Sequence, residues 1–150
     1  MEDRMTRTWI LVANASVATV YCNEGPNKGL TRVKTLEHAA SREKGSDLVS
    51  DRPGHSQSHG NGHGALVAAK SPKEVEAQRF ALELSRKLNQ GRTEHAYQRL
   101  VLIASPHFMG LLNQQIDPHV RQLVSVSIEK DYTKLPEKEL AGHLESHIFL

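Results

Sequence analysis

The sequence predicts an α/β domain built on a five-stranded mixed sheet in the order 3-2-1-4-5, with helices after strands 3, 4 and 5. Three observations predict it. Two short apolar runs rich in β-branched residues stand near the start, separated by only three residues. A near-continuous apolar run, Arg99 to Ser105 (RLVLIAS), occupies the second half and fits a strand covered on both faces. Segments with apolar residues at helical spacing alternate with the later strand-like runs. Antiparallel strands followed by helix-linked parallel ones, with right-handed crossovers, give that order.

Trp9 to Ala13 (WILVA) and Val17 to Cys22 (VATVYC) read as an antiparallel hairpin, with Asn14-Ala15-Ser16 as its turn. Gly25-Pro26-Asn27-Lys28-Gly29 is a turn cluster. Leu30, Val33 and Leu36 then mark a third strand, whose imperfect alternation suggests an edge with one wet face. Ser71-Pro72-Lys73-Glu74 is a helix start: the Ser71 hydroxyl can accept from a first-turn amide, Pro72 has no N–H to leave unsatisfied, and Glu74 can bond back to the Ser71 amide. Ala77, Phe80, Ala81, Leu84 and Leu88 form its apolar face, and Gly91 reads as its stop.

After the fourth strand, Ser105-Pro106 starts a second helix that buries Phe108, Leu111, Leu112 and Ile116, and Asp117-Pro118 starts a short helical turn. Leu123 to Ile128 (LVSVSI) reads as the last strand. Pro136 opens a final helix with Leu140, Leu144 and Ile148 on one face. The resulting topology is ribonuclease H-like. The chain shows no internal repeat.

At 150 residues the chain suits one domain, residues 1–150, with a mobile Gly/His/Ser-rich loop at about 45–70. The loop reading rests on Ser50 to Gly64 (SDRPGHSQSHGNGHG), which holds four glycines and three histidines and no large apolar side chain. Ordering such a stretch costs about 1–2 kcal/mol per residue with little apolar surface to bury in return. Loops of this length inside a domain are more often functional than merely connective.

The net charge of +2 is spread evenly along the chain, so overall charge gives little support to nucleic-acid binding and leaves only a local basic surface open. Cys22 is the single cysteine, which excludes an internal disulfide and disfavours a cysteine metal site; a buried small hydrophobe is its simpler role. No signal-peptide h-region follows the charged start, and no apolar run reaches membrane-spanning length. The expectation is a cytoplasmic protein without membrane insertion.

Four segments carry a resemblance: WILVANASVATVY, LVSDRPG, RLVLIASPHFMGLL and EKDYTKLPEKEL. In this order and over nearly the whole chain, they resemble the bacterial host-attachment protein family, proteins named for a proposed requirement in attachment to host cells. That family in turn looks like the ribonuclease H-like middle domain of eukaryotic and archaeal class-one peptide-chain release factors. There a glycine-rich loop before a long helix carries Gly-Gly-Gln to the peptidyl-transferase centre, and Ser50 to Gly64 occupies the corresponding place. No Gly-Gly-Gln occurs here; Gln57 lies in His-Ser-Gln-Ser. The absence counts against peptide release and leaves a loop facing the ribosome or structured RNA open.

Ribonuclease H-type catalysis gathers carboxylates around two metals about 3.5–4 Å apart. One acid belongs on the first strand and one at the end of the fourth. Here the first strand is followed by Asn14 and the fourth ends in Ser105-Pro106, so the residues argue against a nuclease. Ser105 also lacks the Gly-x-Ser-x-Gly surroundings of a nucleophile elbow, and helix capping explains it better.

The candidate binding residues are Asp51, Arg52, His55, Gln57, His59, His63, Asp131 and Thr133. His55, His59 and His63, spaced by four, would share a helix face suited to Zn, Ni or Cu, but the surrounding glycines oppose a helix, so any divalent transition-metal site would be weak and no cofactor is expected. A solvated histidine loop is the plainer reading. Titration near pH 6–7 would make that loop cationic and attractive to phosphate. Asp51 and Arg52 lead into the loop, and Asp131 with Thr133 follows the last strand; under the resemblance both belong to the family pattern. They either fasten the loop base by local bonds or, through Arg52, hold a phosphate.

The expected function is a non-catalytic binding domain for a macromolecular partner, ribosome or structured RNA. The alternatives are a metal-dependent hydrolase using the loop histidines or Asp51 with Asp131, and an adaptor that supports attachment to host cells indirectly; a protein partner stays open beside RNA.

Overall fold

Strict alternation of side chains along two central strands divides the apolar residues between two cores. The computed structural model of the protein describes residues 6–38 and 71–147. Its strands are β1 (Thr8–Ala13), β2 (Val17–Asn23), β3 (Thr31–Glu37), β4 (Arg99–Ala104) and β5 (Val124–Ile128). The helices are α1 (Pro72–Thr93), α2 (Pro106–Gln115), the single turn α3 (Pro118–Arg121) and α4 (Glu137–Leu144). The sheet order is β3-β2-β1-β4-β5, as the sequence predicts.

β1 pairs antiparallel with β2, Leu11 opposite Val20, and parallel with β4, Leu11 opposite Leu102. Trp9, Leu11 and Ala13, with Leu100, Leu102 and Ala104, face a core roofed by Phe80, Leu84 and Leu88 of α1, Phe108 and Leu112 of α2 and Val120 of α3. Ile10, Val12, Val101 and Ile103 face a smaller core with Tyr21 and with Leu140 and Leu144 of α4. The continuous apolar character of RLVLIA is thus the signature of burial on both faces. β3 is a wet edge strand. Val33 lies 42% exposed, Leu30 precedes the strand and packs against the smaller core, and Leu36 leans on the larger one.

The caps follow the sequence in part. Ser71 Oγ accepts from the Glu74 amide at 3.1 Å, with Pro72 in the first turn. The Glu74 carboxylate does not close a capping box; it reaches His107 of α2 instead, Oε1 to Nε2 at 2.8 Å. Gly91 is not the stop, because α1 runs on to Thr93 and the left-handed conformation after it falls to His95, at φ 61°. Gly91 is buried inside the helix, against the indole of Trp9. Ser105 holds the cap position of α2 without a side-chain capping bond, while Asp117 caps α3 by accepting from the His119 amide at 2.7 Å. Asp117 is held below the usual carboxylate range by that backbone hydrogen bond, aided by the His119 ring. Leu123 precedes β5 and packs on the larger core, and Ile148 lies outside the described residues.

Cys22 is buried as a small hydrophobe; burial pushes its thiol pKa up, and the nearby Glu24 adds to the shift. Tyr97 stacks on Trp9 with ring centroids 4.7 Å apart, and its hydroxyl donates to the Leu88 carbonyl at 2.7 Å.

Candidate functional site

β1, β4 and β5 run parallel, so their carboxyl ends, Ala13, Ala104 and Ile128, share one edge of the domain. β2 starts and β3 ends at that same edge. In open α/β sheets this is the edge where loops and helix starts converge and ligands bind. Three groups of polar side chains gather there.

The first is built on Asn14, the residue after β1. Its Oδ1 accepts from the amides of Ser16 and Val17 at 2.8 and 3.0 Å, which folds the β1–β2 turn around the side chain. Its Nδ2 donates to Asp131 Oδ2 at 3.0 Å and to Thr133 Oγ1 at 3.2 Å. Thr133 donates to Asp131 Oδ1 from both its hydroxyl, at 2.6 Å, and its amide, at 3.0 Å. Burial raises the Asp131 carboxyl, but the hydrogen bonds from Thr133 and Asn14, with the charge of Lys134, outweigh it and hold the pKa below the ordinary value. Both carboxylate oxygens are engaged by neutral donors. Chemically this is a fastening of the β5–α4 connection onto the β1–β2 turn, not a carboxylate poised to take a proton.

The second group lines a cleft of about 280 Å³ formed by Ala15, Ser16, Ser71, Lys73, Glu74, Ala77 and His107. Glu74 and His107 pair across it at 2.8 Å and tie the start of α1 to the start of α2. The sequence reading missed this cleft. Its available signal was the repeated Ser-Pro at 71–72 and 105–106, two helix starts that parallel strands place side by side.

The third group centres on His38, directly after β3. Its amide donates to the Ser16 carbonyl at 2.9 Å. Its ring lies 2.8 Å from Glu76 Oε1 and 3.9 Å from Glu83 Oε1, and stacks on Phe80 at 5.3 Å between centroids. Glu76 is itself paired with Arg79 at 2.7 Å. The described residues that flank 39–70 are therefore His38, anchored at the end of β3, and Ser71, on the rim of the cleft.

Of the residues expected to form a site, Asp131 and Thr133 are in direct contact. Asp51, Arg52, His55, Gln57, His59 and His63 lie outside the described residues. Among the described residues, no three His, Cys, Asp or Glu side chains come together as metal ligands. Nor is any described helix long and apolar enough to cross a membrane.

The sheet order, the crossover helices and the crowded carboxyl edge define a ribonuclease H-like α/β domain. The chain belongs to the family described as "Protein required for attachment to host cells", whose sequence pattern matches residues 9–144. Among solved structures, it is similar to the archaeal translation termination factor aRF1, with 9% identity and a TM-score of 0.50 over 93% of this chain and 38% of that one. It is also similar to an archaeal protein (12% identity, TM-score 0.45, 93% of this chain and 37% of that one). A Ppx/GppA family member from Aquifex aeolicus gives 9% identity and a TM-score of 0.40 over 83% of this chain and 36% of that one. The chain thus spans little more than a third of the length of each, and at these identities the likeness is one of fold. No curated protein matches the sequence.

Proposed function

We propose that the protein is a non-catalytic binding domain that presents the Ser50–Gly64 segment to a macromolecular partner, the ribosome or another structured RNA, and that this binding underlies its family's role in attachment. The observation that carries the reading is the placement of the two residues on either side of 39–70. His38 is held by Ser16, Glu76 and Phe80, and Ser71 caps α1, all at the carboxyl edge of the parallel strands. His38 and Ser71, the described residues that flank 39–70, thus both stand at the edge where this class of sheet binds ligands, which supports a binding role for the sequence between them. The engagement of both Asp131 oxygens supports binding over hydrolysis. Fold likeness to a translation termination factor favours the ribosome among RNA partners.

Co-sedimentation with ribosomes from cell extract, at low and high salt, tests the reading, with the intact chain compared to one lacking residues 54–64. Contacts to phosphates release counterions, so association should weaken steeply as salt rises. Loss of the protein from the ribosomal fraction on deleting 54–64 is the expected result. Absence of the intact chain from that fraction at low salt, or binding that survives the deletion, overturns it.

A further inference from the structure

We infer that the cleft between the β1–β2 turn and the starts of α1 and α2 binds a phosphate group, held by Lys73, Ser16 and Ser71. The inference deepens the proposed function and rests on it only for the source of the phosphate, an RNA backbone.

Of the cleft's seven lining residues, two are alanines and the other five carry polar side chains from three separate parts of the chain. Ser16 comes from the hairpin turn, Ser71, Lys73 and Glu74 from the start of α1, and His107 from the first turn of α2. Three of these five, Ser16, Ser71 and Lys73, carry a donor that is not already spent on a neighbour, whereas the His107 Nε2 is taken up by Glu74 at 2.8 Å. The one obligate acceptor, Glu74, is turned to His107 through Oε1 at 2.8 Å. Lys73 is exposed and makes no ion pair within the described residues, so its ammonium is available to a ligand.

A tetrahedral oxyanion matches a donor-rich cleft better than a cation or an apolar group does, because it presents acceptors in several directions at once to donors on different elements. The volume of about 280 Å³ leaves room for an ester substituent beside the phosphate. Neither the Asn14–Asp131–Thr133 group nor the His38 group offers a comparable space, since their polar atoms are bonded to one another.

The test follows backbone amide signals of the full chain by NMR during titration with inorganic phosphate at constant ionic strength. Saturable shifts at Ser16, Lys73 and His107 are expected. Replacing Lys73 by Ala should weaken binding about tenfold, the scale of one charge-assisted hydrogen bond. Lys87→Ala, on the same helix and away from the cleft, should leave it unchanged. No saturable shift, or equal weakening by both variants, overturns the site.

A second arm uses an oligouridine without terminal phosphates. If it shifts the same three amides and competes with phosphate, the ligand is a backbone diester. If phosphate binds and the oligonucleotide does not, the cleft stands as a site for free phosphate or a monoester, and its assignment to RNA is overturned. Because this assay contains no ribosome, its outcome is separate from that of co-sedimentation.

Discussion

Gly91 lies against Trp9 so closely that a Cβ built on the glycine would fall 2.6 Å from indole Cη2 and 2.7 Å from Cζ3. The ring cannot swing aside easily, because Tyr97 is stacked on it and sits 3.2 Å from the same Cβ position. The smallest residue thus sets how near α1 approaches the sheet.

Gly91→Ala should therefore destabilise the fold although alanine is the better helix former. Propensity favours the change by about 1 kcal/mol, whereas forcing a methyl into a packed core costs about 1–3 kcal/mol and a contact under 3 Å belongs at the upper end of that range. A net loss of about 1–2 kcal/mol is expected in urea denaturation. Equal or greater stability would mean that the Trp9–Tyr97 stack yields without cost.

The tie between Asn14 and Asp131 makes an acid-dependent prediction. The native Asp131 pKa is lowered, so the stability it contributes is present above its unfolded value, about 3.9, and is lost as pH falls through the lower native value. Asn14→Ala removes one of the donors responsible and also unpins the turn at Ser16 and Val17. It should cost about 1–3 kcal/mol at neutral pH and move the Asp131 titration upward. Carboxyl ¹³C NMR reads the titration directly. An unchanged Asp131 midpoint in the variant would remove the tie.

Tyr97 gives the corresponding prediction in alkali. Burial pushes its phenol up to about 12, against a smaller opposing pull from Arg92. A raised pKa keeps the protein's stability intact below the unfolded value, about 10, and loses it as pH rises through the native one. Phenolate absorbance should show one late-titrating tyrosine that Tyr97→Phe abolishes. The same variant removes the 2.7 Å bond to the Leu88 carbonyl and leaves a small void beside it, and should cost about 1 kcal/mol. A wild-type denaturation midpoint would show that the bond contributes nothing.

What was legible in the sequence was local. Alternation in WILVA and VATVYC, unbroken apolarity in RLVLIA and the Ser-Pro starts each depend on neighbours a few residues away, and together they gave the sheet order and the helix placements. The errors came from partners distant in sequence. Glu74 failed to close its capping box because His107, 33 residues on, offered a better bond. Gly91 read as punctuation because its reason is a tryptophan 82 positions earlier, invisible to any local rule. Asn14 was legible as a turn residue and as the place of a missing acid, yet its hold on Asp131, 117 residues away, was not. The cleft was likewise unreadable, because three short, ordinary pieces of chain form it only when the sheet brings them together.

The pairing of β1 with β4 also governs the order in which the protein can be made. Thr8 must meet Arg99, so the middle of the sheet stays open while the intervening chain is synthesised. At about 5–20 residues per second that wait lasts seconds, long compared with the microseconds in which the β1–β2 hairpin can form. During it, the inner edge of WILVA has no strand beside it and invites pairing with a neighbouring nascent chain. Docking of RLVLIA beside β1 is the event that closes this interval. Substitutions that slow it will lower the yield of folded protein even where they leave the stability of the finished fold untouched.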